Sequence, residues 1–76
     1  MIWKKLIEET PIAIESGDWD GLKSEALIVA DKDGKRRIAV MYEGTMDGSE
    51  FIYFQDEDSG YYIDNVVHWA YIPPIL

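Results

Sequence analysis

The chain has 76 residues, a length that supports one compact core, so we expect a single small domain over residues 1–76. Hydrophobic residues make up 47% of the sequence and there is no cysteine, so we expect a folded chain without disulfide bonds or thiolate metal sites. The 15 Asp and Glu exceed the seven Lys and Arg and give a formal charge of −8, which disfavours direct binding to nucleic acid or to anionic membranes.

The first ten residues contain an apolar stripe whose spacing fits one or two helical turns, although a short strand fits it as well. The stripe consists of Ile2, Trp3, Leu6 and Ile7. Charged residues interrupt it at once, which argues against a signal peptide. The longest apolar stretch elsewhere, residues 26–30, is too short to cross a bilayer. We therefore expect a soluble protein that begins with a short helix or strand.

The middle of the chain is typical of short strands joined by tight turns. Ser16-Gly17-Asp18-Trp19-Asp20-Gly21 is a cluster of turn-forming residues around one tryptophan, which predicts a loop. Residues 25–30 are typical of a largely buried strand, and residues 37–43 alternate with the period of a pleated strand. Asp33-Gly34 between them predicts a hairpin, because Asp-Gly readily adopts the positive φ that tight turns need.

The second half continues the pattern. Gly44-Thr45-Met46-Asp47-Gly48 predicts a turn, Phe51-Ile52-Tyr53-Phe54 a strand, and residues 55–60 a polar turn. Residues 61–63 and 66–72 predict one or two final strands, which end at Pro73-Pro74 because proline cannot donate to a ladder. We therefore predict a β-rich fold, α+β at most: a small curled antiparallel meander of about four to five strands.

The sequence does not predict an enzyme. His68 is the only histidine, and in a strand it shares a face with Val66 and Ala70, so we expect it to pack beside Pro73-Pro74 rather than to catalyse. There is no cysteine nucleophile, and the serines lie in or next to turns without a Gly-x-Ser-x-Gly elbow. We therefore assign no catalytic residue.

Three acidic segments superficially resemble calcium ligands: Asp18-x-Asp20-Gly21, Asp31-x-Asp33-Gly34 and Asp56-Glu57-Asp58. None has the roughly twelve-residue spacing and closing glutamate of an EF-hand, and Asp and Gly are also the residues that turns select. The glycines are scattered one per turn, unlike a phosphate-binding loop. We therefore predict no metal and no cofactor.

Exposed aromatic residues beside acids are the candidate interaction surface. Adjacent strand tyrosines point to opposite faces, and a tryptophan between two aspartates lies in a loop, so we expect partial exposure of Tyr61, Tyr62 and Trp19. Asp56, Glu57 and Asp58 precede the tyrosines, and reversing their charges is expected to leave the fold intact. The alternative is that the tyrosines complete the sheet and the acids solvate a turn.

Several of these motifs together resemble a short phage and bacterial family, the domain of unknown function 551. The resemblance covers nearly the whole chain and includes the loop around Trp19, Tyr42-Glu43-Gly44, and the ending Val66-Val67-His68-Trp69-x-x-Ile72-Pro73. The family ends in His-Trp-Met-Pro-Leu-Pro, whereas this chain has Ala70-Tyr71-Ile72 after His-Trp, which predicts a longer final strand. The resemblance implies a cytoplasmic accessory protein of phage or mobile-element type and names no reaction.

The leading functional hypothesis is a non-enzymatic module that binds an unidentified protein partner through an acidic surface with exposed aromatic residues. The alternative is a phage-type inhibitor whose carboxylates imitate DNA phosphates and block a host nuclease. Lys32, Lys35, Arg36 and Arg37 interrupt a uniform negative face and count against this alternative. A third hypothesis, a small enzyme that uses His68, has the least support.

Overall fold

The computed structural model describes residues 2–16 and 21–73, which form one antiparallel sheet of eight strands. The strands are β1 (Lys4–Lys5), β2 (Ala13–Ser16), β3 (Leu22–Ser24), β4 (Leu27–Asp31), β5 (Arg36–Met46), β6 (Ser49–Asp56), β7 (Tyr62–Ile63) and β8 (Val66–Tyr71). The predicted β-rich, curled antiparallel fold is confirmed, with more strands than expected. Within the described ranges there is no helix that is long and apolar enough to span a membrane.

The first residues form a short strand and not a helix. β1 pairs with β8 and is followed by a turn at residues 6–8. Ile2 and Ile7 are exposed, while Leu6 packs against the core. Of the two predicted alternatives, a short helix and a short strand, the strand is therefore the one observed, and its pairing with β8 positions this segment.

The long strand β5 organises the sheet. One edge of β5 pairs with β6 along residues 39–46, and β7 extends the sheet beyond β6. The other edge is shared, because β4 pairs with residues 36–39 and β3 with residues 42–43. β8 and then β1 follow β4, and β2 follows β3. The sheet therefore divides into two wings on this side of β5.

Ser24 marks the division between the wings. It is buried where β3 ends, and its Oγ accepts a hydrogen bond of 3.0 Å from the Met41 amide in β5. The same hydroxyl donates to the Glu25 carbonyl at 2.7 Å. A side chain thus takes the place of a main-chain acceptor at the break, and the sheet curls into a half-barrel.

The core lies on the concave face of the curled sheet. Trp69 is fully buried there, as predicted, and its ring meets Tyr71 edge-on at 5.0 Å. Its Nε1 donates to the Glu9 carbonyl at 2.8 Å, so the chain between β1 and β2 packs over the indole. The core cluster consists of Leu27, Val29, Ala39, Met41, Phe54 and Trp69.

Two hairpins rest on Asp-Gly turns. The predicted pairing of β4 with β5 is confirmed, and Gly34 in its turn has a φ of 84°. In the next hairpin Asp47 and Gly48 have φ values of 52° and 81°, as a two-residue type I′ turn requires. The expected turn over residues 44–48 is wrong in extent, because β5 continues to Met46 and pairs there with Ser49.

Candidate interaction surface

The turn between β6 and β7 is organised by Asp56. Its Oδ1 accepts the amides of Asp58 at 2.8 Å and Ser59 at 3.2 Å. Its Oδ2 accepts Arg37 Nη1 at 3.2 Å, and its side chain is only 12% exposed. The two backbone amides, with a smaller contribution from Arg37, hold the pKa of the Asp56 carboxyl below its usual range.

This arrangement corrects the prediction for the acidic segment. Glu57 and Asp58 are exposed as expected, but Asp56 holds the turn and forms an ion pair with β5. Reversing the charge of Asp56 would place a lysine against Arg37 and remove the acceptor of two amides. The premise that Asp56 is an ordinary surface acid is therefore wrong, and we expect its charge reversal to destabilise the fold.

Tyr61 and Tyr62 lie directly after this turn and expose their rings. Their relative exposures are 78% and 72%, which confirms that both are accessible. The main chain beneath them is held, because the Asp56 amide donates to the Tyr61 carbonyl at 2.8 Å. We call the exposed residues Glu57, Asp58, Tyr61 and Tyr62 the hairpin surface. Trp19, predicted to belong with them, lies outside the described residues.

A row of aromatic rings continues from the hairpin surface across the convex face. Tyr62 meets Tyr53 edge-on at 5.0 Å, and Tyr53 stacks on Tyr42 at 5.1 Å. Phe51 lies next to Tyr53 on the same strand, with centroids 6.1 Å apart. The sequence predictions did not include Tyr42, Phe51 and Tyr53 in the surface. The alternation of Phe51 and Tyr53 was a usable signal, whereas the pairing with Tyr42 depends on strand register.

Negative charge is segregated along the chain. Residues 38–76 contain seven Asp or Glu and no Lys or Arg, whereas residues 1–37 contain eight Asp or Glu and all seven Lys and Arg. β6, β7 and the turn between them belong entirely to the acidic part. The sequence alone shows this uneven distribution, but the net charge of the whole chain does not reveal it. The β6–β7 hairpin therefore carries four of these seven carboxylates and no Lys or Arg.

The start of β5 borders the hairpin surface on one side. Arg36, Arg37 and Ile38 line a shallow groove together with residues 56–58. The guanidinium of Arg37 pairs with Asp56, while Arg36 is exposed. The groove is therefore mixed in charge, whereas β6 beyond it contains Glu50 and no Lys or Arg.

His68 lies on a different part of the sheet. It is half-buried on β8, where its strand partners are Lys5 and Ala30, and it lines a shallow groove with Trp3 and Arg36. Its expected contact with the proline pair is not tested, since Pro74 lies outside the described residues. Within residues 2–16 and 21–73, no three acidic or histidine side chains are grouped to hold a metal ion.

Comparison with protein-family models, with curated proteins and with solved structures finds no match for this chain. The resemblance to the domain of unknown function 551 therefore stays a prediction.

Proposed function

We propose that this protein is a non-enzymatic interaction module that binds a basic region of a partner protein through the hairpin surface. The observation that carries this proposal is the exposure of two adjacent tyrosines, 78% and 72%, beside Glu57 and Asp58. Aromatic anchors surrounded by polar groups are the common form of a protein interface. Soluble domains gain no stability from leaving two such rings in water.

The hairpin surface is also preorganised. Tyr62 is supported by the ring of Tyr53, and the main chain of Tyr61 is held by Asp56. Gln55 Nε2 donates to the Gly60 carbonyl at 2.8 Å, which adds a second hydrogen bond across the turn. A surface that is ordered before binding loses less conformational entropy when a partner docks. These contacts support recognition of a folded or extended protein segment.

The resemblance to the phage and bacterial family supports a cytoplasmic setting and an accessory role for this interaction. His68 supports catalysis poorly, because its strand β8 pairs with β1 and β4 and contributes nothing to the hairpin surface. The proposed role therefore needs no cofactor and no reacting group.

Imitation of DNA receives less support than a protein interaction module. A mimic presents rows of unpaired carboxylates at the spacing of phosphates. Here Glu9 pairs with Lys4 at 2.8 Å and Asp56 with Arg37 at 3.2 Å. Asp31 Oδ1 accepts the amides of Asp33 and Lys35, so this carboxylate organises its own turn.

The proposal is tested by quantitative capture from a bacterial lysate on the immobilised full chain. The variant Tyr61→Ser/Tyr62→Ser removes both anchors, and Ile12→Ser/Ile14→Ser is the matched control because those side chains are also exposed. We expect a partner retained by wild type and control but reduced at least about tenfold on the tyrosine variant. Equal capture by all three proteins would contradict the proposal. Displacement of the partner by duplex DNA would instead support mimicry.

A further inference from the structure

The outer edge of β6, the edge that faces β7, is covered for only part of its length. β7 pairs with β6 through Phe54↔Ile63 and Gln55↔Tyr62. The chain then turns away at Asn65, which has a φ of 62°. Its carbonyl accepts the amide of Lys32, in the turn between β4 and β5. Among the described residues, no strand pairs with Glu50 or Ile52 on this outer edge.

The hydrogen-bond pattern identifies the backbone groups that face outward. The Asp56 amide points to β7, because it donates to the Tyr61 carbonyl. Alternate residues of a strand present their backbone groups to the same edge, so those of Ile52 and Glu50 face outward too. Met41 is paired with Phe54, and its amide points away from β6, to Ser24. The backbone groups of Phe54 therefore point away from β5 as well, as this alternation requires. The outer edge therefore offers the N–H and C=O groups of Ile52 and Glu50.

The charges near the outer edge of β6 indicate which kind of strand would bind there. Glu50 lies on the edge strand and Asp64 follows β7, and residues 38–76 contain no Lys or Arg. A second copy of the chain would bring the same acidic edge against itself, which like-charge repulsion opposes. A basic strand would instead meet complementary charge along this edge.

We propose that a basic, extended segment of the partner adds to the outer edge of β6 as an extra strand, in line with β7. The side chains on one face of the added strand would lie beside Ile52, which is 41% exposed. Main-chain hydrogen bonds to Ile52 and Glu50 would supply affinity, and alternate side chains would supply selectivity. This inference rests on the proposed function and specifies how the partner binds.

The test uses a synthetic seven-residue peptide of alternating Lys and Val, with a peptide of alternating Glu and Val as its control. Ile52→Pro removes the outward N–H while leaving the β5 side of the ladder intact, since proline is tolerated on an edge strand. Ile52→Val keeps that N–H and is the matched variant. Peptide affinity is measured by fluorescence anisotropy, and amide exchange of Glu50 and Ile52 by NMR.

We expect the Lys-Val peptide to bind wild type at least about tenfold more tightly than the Glu-Val peptide and to slow the exchange of both amides. Ile52→Pro should weaken binding about fivefold or more, and Ile52→Val less than about twofold. Binding without protection of Glu50 and Ile52, or unchanged by Ile52→Pro, would overturn strand addition. Failure of strand addition would not by itself contradict binding through the hairpin surface, because the tyrosine variant tests that binding separately. Self-association of the chain abolished by Ile52→Pro would also overturn the proposal, in favour of a second copy.

Discussion

The amide of Met41 donates its hydrogen bond to the hydroxyl of Ser24, at 3.0 Å, where a regular ladder would offer a main-chain carbonyl. This bond lies at the break between β3 and β4, the two strands that share one edge of β5. It allows β3 and β4 to separate without leaving a buried amide unpaired. The bond therefore satisfies the Met41 amide at the point where the two wings of the sheet diverge.

Ser24→Ala should therefore destabilise the fold by about 1–3 kcal/mol, the cost of an unsatisfied buried amide. The free energy of unfolding is measured by chemical denaturation. Ser49→Ala is the control, because Ser49 is exposed at the start of β6. An effect of Ser24→Ala no larger than that of the control would show that the hydroxyl is dispensable.

Trp69→Ala should abolish folding. Removing a fully buried tryptophan costs roughly 3–5 kcal/mol, about the whole stability of so small a domain. Trp69→Phe keeps an aromatic ring but loses the hydrogen bond to the Glu9 carbonyl, so it should be destabilised yet folded. Circular dichroism melting distinguishes these outcomes. A Trp69→Ala variant that melts cooperatively within a few degrees of wild type would refute the core assignment.

Gly34→Val should destabilise the fold by more than about 1 kcal/mol, because Gly34 has a φ of 84° and a β-branched side chain resists that conformation. No atom lies within 4 Å of an added Cβ, so the cost comes from the backbone and not from a clash. Gly34→Asn, which tolerates positive φ better, should cost less. Equal denaturation midpoints for these two variants would contradict the backbone explanation.

Asp56 should make stability depend on acid pH. Its pKa is lower in the folded chain than in the unfolded chain, so its contribution is fully present above the ordinary aspartate value and is lost as pH falls below about 4. Asp56→Asn lacks this titrating group, so the stability difference between wild type and variant should narrow with acidification. A difference that stays constant from neutral pH to about pH 2 would contradict this role.

The sequence predicted those parts of the fold that have local causes. Asp33-Gly34 and the alternation over residues 37–43 identified a hairpin because turn geometry and side-chain period act over a few residues. Three strands, β1, β3 and β7, contain only two or three residues each, which is too few for a periodic pattern in the sequence. They form because they pair with other strands. The pairing of Asp56 with Arg37 spans 19 positions, so Asp56 looked like an ordinary surface acid.

Charge reversal on the hairpin surface tests the central claim most directly. Glu57→Lys/Asp58→Lys leaves Asp56 in place and should cost under about 0.5 kcal/mol per site. Association with the captured partner should slow about tenfold at low salt, and the difference should shrink as salt rises, because exposed charges are screened over about 8–10 Å. Glu8→Lys/Glu25→Lys, two exposed acids in the other half of the chain, should bind close to the wild-type rate. If the hairpin variant binds as fast as wild type at every salt concentration, the hairpin surface is not the binding site.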